Sequence, residues 1–212
     1  MKRFELHPLS LRIWHWVNTL IIILLVVTGA RIRVPDINFL LSYRNAVLIH
    51  RWTGFAMTAS FLFWLAYGLA SGSIVRYYAF RPGRDVRGLG RQALYYSVGV
   101  FKGWANPYPA TPSEKFNPLQ KVAYIGVMFV FTSLAIATGI LFSNIAYFRH
   151  VISLVGGTRI VDAVHVIVAY LFVIYLIVHV YMAMLGTTPL AHIKAMFTGY
   201  EEEPEEPRGS SL

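Results

Sequence analysis

Four histidines lie inside strongly apolar stretches of this chain: His15, His50, His165 and His179. A polar, ionisable ring at membrane depth is costly unless it is paired or bound, so each marks a functional site by default. His165 and His179 are fourteen residues apart in one apolar run. Fourteen helical steps come within roughly 40° of whole turns, so both rings leave one face, about 21 Å apart along the axis. That separation puts them near opposite sides of a hydrocarbon core about 30 Å thick. Two ligands at two depths is the chemistry to be explained.

The donor set narrows it. Zinc usually takes three or four protein ligands clustered together, whereas haem iron needs two axial ligands beyond its porphyrin nitrogens, and two neutral imidazoles satisfy it. The chain has no cysteine, which excludes disulfides, iron–sulfur clusters held by this chain, and covalent c-type haem attachment. Two b-type haems fit better than any metal-ion site. The competing reading is that the histidines satisfy each other or backbone carbonyls.

The elements that must position these rings follow from composition. The 212 residues are 56% hydrophobic and 15% aromatic, with a mean hydropathy of +0.53. The expected fold is an all-α membrane protein, a four-transmembrane-helix bundle with short interfacial helices. Four runs are long enough to span, about 13–30, 46–71, 122–142 and 160–185. They form one di-haem membrane domain over residues 1–200, followed by an acidic disordered tail over 201–212. Lys2 and Arg3 before the first run and Thr28-Gly29-Ala30 after it resemble a signal peptide. The run exceeds the usual apolar region of about 7–15 residues and contains His15 and Asn18, which favours an uncleaved span.

Charge sets the orientation. Lys2, Arg3 and Arg12 share a side with Arg76, Arg81, Arg84, Arg87, Arg91, Lys102, Lys115 and Lys121, while the opposite loops hold only six arginines. The positive-inside rule puts both termini in the cytoplasm. The net charge of +9 is explained by these flanking residues, so a nucleic-acid partner is not called for. With this topology His15 starts an outward helix, and His50 and His165 each start an inward one. The pairs by depth are then His50 with His165 outside and His15 with His179 inside.

Other features are read as follows. Gly29 leaves room for something bulky or serves helix packing, and Thr138-Gly139 echoes Thr28-Gly29. Residues 81–90 read as turns, 91–103 as a short amphipathic interfacial helix, and the proline-rich stretch 106–118 as irregular. FRHVISLVGG (148–157) reads as a short helix ended by two glycines, and Asp162 as a cap of the fourth span. Arg12, Arg31, Arg33 and Arg51 suit either propionate groups or interfacial anchoring. His7, His150 and His192 lie outside the spans and read as surface residues.

HPLSLRIWHWVN (7–18), LIHRWTG (48–54), VDAVH-x13-H (161–179), KFNPLQK (115–121) and HIKAMFTGYEE (192–202) together resemble the membrane di-haem cytochrome b subunit, or gamma subunit, of formate dehydrogenases, nickel–iron hydrogenases and thiosulfate-reductase-type complexes. The resemblance runs through nearly the whole chain. It implies a subunit in the bacterial cytoplasmic (inner) membrane that passes electrons between an outer-face partner, an iron–sulfur protein or a multihaem cytochrome, and a quinone near the cytoplasmic haem. It also implies a quinone site, for menaquinone or ubiquinone, around Asn117, Leu119 and Gln120, next to the ligand His179. Quinone oxygens need hydrogen-bond donors near a redox centre, which a polar break before the third span supplies. Asn117 as a helix cap and Gln120 at the headgroups is the plainer alternative. The family often has a glycine or small residue where Leu119 stands, so only a backbone contact carries over there. Two other functions compete: a stand-alone di-haem membrane oxidoreductase of superoxide-oxidase or ferric-reductase type, and a non-redox carrier using paired histidines.

Overall fold

The computed structural model describes residues 3–5, 7–34, 36–37, 41–109, 116–185 and 190–202. Its helices are α1 (Leu9–Arg33), α2 (Tyr43–Ala70), α3 (Ser73–Tyr78), α4 (Pro82–Leu94), α5 (Pro118–Ile125), α6 (Thr132–Ser143), α7 (Arg149–Leu154), α8 (Thr158–Ala183) and α9 (Ala191–Thr198). A π-helical turn, Gly126–Phe131, joins α5 to α6, so Pro118–Ser143 runs as one membrane-length element. With α1, α2 and α8 it makes four helices long and apolar enough to cross a membrane. The all-α, four-span expectation holds, and each span is a few residues longer than the apolar run that announced it, except for the last, which ends two residues earlier.

The spans are apolar outside and polar within. Phe63 and Ile177 each keep 65% of their surface exposed, while Thr28 and Thr132 are fully buried. Water would penalise that arrangement; hydrocarbon favours it, because apolar side chains meet lipid tails while the helices pair their backbone groups internally. Buried hydroxyls follow the same rule. Thr132 donates to the Val127 carbonyl at 2.8 Å, five residues back, and so satisfies an acceptor in the widened π turn.

Backbone contacts gather into two compact units, Ile21–Val173 and Met1–Leu20 with Ile174–Leu212. In the first, α2 packs on α6, and α4 and α3 both pack on α5. Ser42 caps α2, accepting from the Asn45 N–H at 3.3 Å. Asn117 caps α5 with a complete capping box: its side chain accepts from the Gln120 N–H at 2.9 Å, and the Gln120 side chain accepts from the Asn117 N–H at 3.1 Å. Pro118 follows at the first helical position, where its missing N–H costs nothing. α7 ends as expected at Gly156 and Gly157, with φ of +100° and +89°.

Residues 81–90 depart from the expected turns, since most of them belong to α4. The Arg81 N–H donates to Asp85 Oδ2 at 2.7 Å and Pro82 opens the helix, so the N-terminus is well anchored despite Gly83, Gly88 and Gly90. Gly88 has a packing reason, because a Cβ there would stand 2.5 Å from Pro118 Cγ. Close helix contact, not propensity, decides this segment. The helical region continues through a π turn, Tyr95–Gly99, and a single 3-10 turn, Val100–Lys102, in place of a separate interfacial helix. Beside α5, Tyr78 lies among Trp64, Phe116 and Phe129, with ring centroids 5.8–5.9 Å away. Burial in this cluster pushes its hydroxyl up to about 12.

In the second unit, β1 (Arg3–Glu5) pairs antiparallel with β2 (Tyr200–Glu202). The tail expected from 201 therefore begins as a strand; residues 203–212 lie outside the described residues. Two further bonds tie α9 to the start of α1: the His7 N–H donates to the Gly199 carbonyl at 3.2 Å, and Trp16 Nε1 donates to the Met196 carbonyl at 3.2 Å. The Trp16 ring stacks on Phe197 at 4.4 Å. Arg12 also donates to the Phe197 carbonyl. Gly199 sits at φ +91°, and a Cβ there would meet the His7 carbonyl at 2.9 Å. No other residue type fits that turn without strain.

Candidate functional site

His50 and His165 face each other within the Ile21–Val173 unit, their ring centroids 6.1 Å apart and their planes at 74°. Both rings are half-buried. His50 lies one turn from the buried Ala46 on α2, and His165 lies near the start of α8. The two other spans supply their supports. Thr28 on α1 places its hydroxyl 2.9 Å from His50 Nδ1, and Thr138 on α6 places its hydroxyl 2.7 Å from His165 Nδ1. A Cβ at Gly29 would lie 3.3 Å from His50 Cε1, and one at Gly139 would lie 3.7 Å from His165 Cε1. The repeated Thr-Gly pair thus serves one histidine each time. Its role went unread in the sequence, although the repeat itself was the available signal.

His15 and His179 form the second pair, within the other unit, with centroids 6.2 Å apart and planes at 44°. Aromatic rings surround them. Trp16 meets His15 edge-on at 5.1 Å, and Tyr175 stacks on His179 at 5.6 Å with planes 22° apart. His15 Nδ1 is buried without a hydrogen-bond partner among the described residues. A nitrogen in that position needs a ligand or a water to offset its lost hydration.

Each pair fits two imidazoles on one metal. Nitrogens bonding a metal from opposite sides at about 2 Å each leave ring centroids roughly 6 Å apart, as both pairs are. Among the described residues no group of three or more His, Asp or Glu converges as a metal site. Two imidazoles per site match haem iron, whose remaining four ligands come from the porphyrin.

The arginines considered for propionates have protein partners. Arg31 Nε donates to the Leu41 carbonyl at 2.8 Å. Arg33 pairs with Asp162 at 3.5 Å, and the Arg51 guanidinium lies 6.0 Å over Phe55. Asp162 is not a cap, because α8 already begins at Thr158; it is the partner of Arg33.

Asn117, Leu119 and Gln120 stand together at the start of α5. The capping box commits the Asn117 and Gln120 side-chain oxygens, and Asn117 Nδ2 donates to the Tyr96 hydroxyl at 2.9 Å. Burial pushes that hydroxyl up, which keeps it neutral and able to donate. A cleft of about 180 Å³ opens beside Asn117, lined also by Asp85, Tyr108, Phe116 and Lys121. Lys121 Nζ reaches Asp85 Oδ2 at 3.5 Å, with both groups largely buried.

Comparison with known proteins bears on the same stretch. The family model described as prokaryotic cytochrome b561 matches residues 6–199. The chain is also similar to YdhU of Escherichia coli (strain K12), a protein named as a cytochrome. The two are 30% identical over 202 residues, covering 94% of this chain and 75% of YdhU. With four membrane-length helices and two facing histidine pairs, the chain belongs to the prokaryotic cytochrome b561 family and is a multi-pass, b-type membrane cytochrome of electron transfer.

Proposed function

We propose that the protein holds two b-type haems, one between His50 and His165 and one between His15 and His179, and relays electrons across the bacterial inner membrane. The observation that carries this is the near-identical separation of the two ring pairs, 6.1 and 6.2 Å. His50 with His165 and His15 with His179 would hold the haems, and haem held by two imidazoles would supply one-electron transfer. The chain's own residues orient the rings and, among the described residues, bring no third protein ligand to either pair. The proposed electron partner on the outer face is a separate protein, an iron–sulfur or multihaem cytochrome subunit of a respiratory complex; the lack of cysteine, which leaves this chain no iron–sulfur cluster of its own, supports that reading. This is the gamma-subunit role of the formate dehydrogenase, nickel–iron hydrogenase and thiosulfate reductase type.

At the cytoplasmic side the electron partner is a quinone, menaquinone or ubiquinone. Its proposed site is the start of α5, with Asn117, the Leu119 backbone and Gln120. Three features support it: a neutral tyrosine hydroxyl bonded to Asn117, an adjoining cleft, and a second Nδ2 hydrogen on Asn117 that its bond to Tyr96 does not use. The buried Lys121–Asp85 pair lines the same cleft and offers a route for the proton that accompanies quinone chemistry.

The test is a haem-to-protein ratio with a reduced-minus-oxidised spectrum. Two haems per chain and a Soret band that sharpens on reduction are expected; a colourless protein or a single haem overturns the reading. Co-purification of a redox subunit supports the complex, while a free, fully active monomer favours the stand-alone oxidoreductase. Asn117→Ala should slow quinol-driven haem reduction at least several-fold and leave dithionite reduction unchanged.

A further inference from the structure

The contacts at Thr28 and Thr138 determine where the proton sits on each of the two histidines they touch. A threonine hydroxyl has one hydrogen to donate. Thr28 Oγ1 lies 2.6 Å from the Leu24 carbonyl, and Thr138 Oγ1 lies 2.6 Å from the Leu134 carbonyl. A carbonyl oxygen only accepts, so each hydroxyl hydrogen is committed four residues back along its own helix. The 2.9 and 2.7 Å contacts with His50 and His165 must then run the other way, with ring N–H donating to hydroxyl oxygen. Nδ1 carries the proton on both rings, and Nε2 keeps the lone pair. Gly29 and Gly139 reinforce this, because each brings the backbone of its helix against the ring's Cε1 edge. The Thr-Gly pair therefore grips the Nδ1–Cε1 edge of each imidazole and leaves the Nε2 lone pair as the one available to a ligand.

We infer that Thr28 and Thr138 are positioning residues that fix both axial histidines of one haem as Nδ1–H tautomers and strengthen them as ligands. The inference rests on the reading of His50 and His165 as axial ligands. Its physical basis is general: a ligating histidine that donates its other N–H is held in orientation and made more basic, and loss of that partner typically costs about 10–100-fold in metal affinity. A more basic ligand favours the ferric state, so the bond lowers the reduction potential of the haem it serves. His15 Nδ1 has no such partner among the described residues. The effect therefore belongs to one of the two centres, and the other is an internal control.

The experiment is an optical redox titration of the full-length protein in detergent or nanodiscs, comparing wild type with Thr28→Val, Thr138→Val, the double variant, Thr28→Ser and Thr138→Ser. Valine keeps the shape and removes the acceptor. The valine variants should shift the reduction equilibrium of one haem toward the ferrous form by up to about tenfold, about 59 mV for one electron, with the second haem unmoved. The serine variants should behave as wild type. Loss of one haem in the valine variants, with full retention in the serine variants, equally supports the assignment. It is overturned if the valine variants leave both potentials and the haem content unchanged, if both haems shift alike, or if serine fails as valine does. Wild type carrying fewer than two haems would instead defeat the di-haem reading, so the two failures are distinguishable.

Discussion

The two histidine pairs have almost the same ring separation but very different surroundings. His50 and His165 are supported by hydroxyls and glycines from two further helices, so four spans contribute to one pair. His15 and His179 are bordered by Trp16 and Tyr175, and the stack of Trp16 on Phe197 links their neighbourhood to α9. One pair is oriented by directional bonds at known atoms. The other is oriented by packing of rings, which restricts tilt without choosing a tautomer. Equal spacing does not imply equal chemistry: the first pair should hold the centre with the lower potential for its exposure, and the second should respond more to loosening of the chain ends.

The largest test of that contrast is removal of a ligand. His179→Ala should take one haem and leave the other, halving the haem-to-protein ratio, and His165→Ala should take the complementary one. Loss of both from either change would show that the pairs are not independent. Next in size are the glycines. Gly29→Leu should abolish haem at the His50/His165 pair alone, because even a Cβ there comes within 3.3 Å of the ring. Gly139→Ala, whose Cβ would be in ordinary contact at 3.7 Å, should retain haem with a small spectral change.

A subtler change acts on the other pair. Trp16→Ala removes a hydrogen bond worth about 1 kcal/mol and an aromatic contact worth about 0.5–1.5 kcal/mol. It should speed hydrogen exchange and proteolysis across residues 191–202 by roughly tenfold or more. It should also perturb the His15/His179 haem without touching its counterpart. The smallest effect is expected at the exposed Arg33–Asp162 pair, three residues from His165. Asp162→Asn should cost under about 1 kcal/mol of stability and leave both spectra as they were, which separates nearby charge from direct support.

Much of this was legible beforehand because membrane sequence is unusually constrained. The four spans follow from apolar length, and the histidine pairing from helix direction and a fourteen-residue interval. What eluded reading depended on contacts distant in sequence. α4 contains three glycines and looks like a turn until Gly88 is seen against Pro118. Asn117 and Gln120 look equally like a ligand site and a cap, and the capping box establishes the second role without removing the first. Nothing beside Trp16 in the sequence announces its partner, because its N–H is bonded 180 residues away. The Thr-Gly echo was visible, but its meaning lay in which ring each hydroxyl would touch.

That long-range bond also bears on how the protein is made. The segment that covers Trp16 is translated only after all four spans, so the amino-terminal end of α1 waits uncovered through most of synthesis. His179 arrives late as well. His50, Thr28, Thr138 and His165 all precede it in the chain, so the proposed centre they form has all its residues translated before its fellow does.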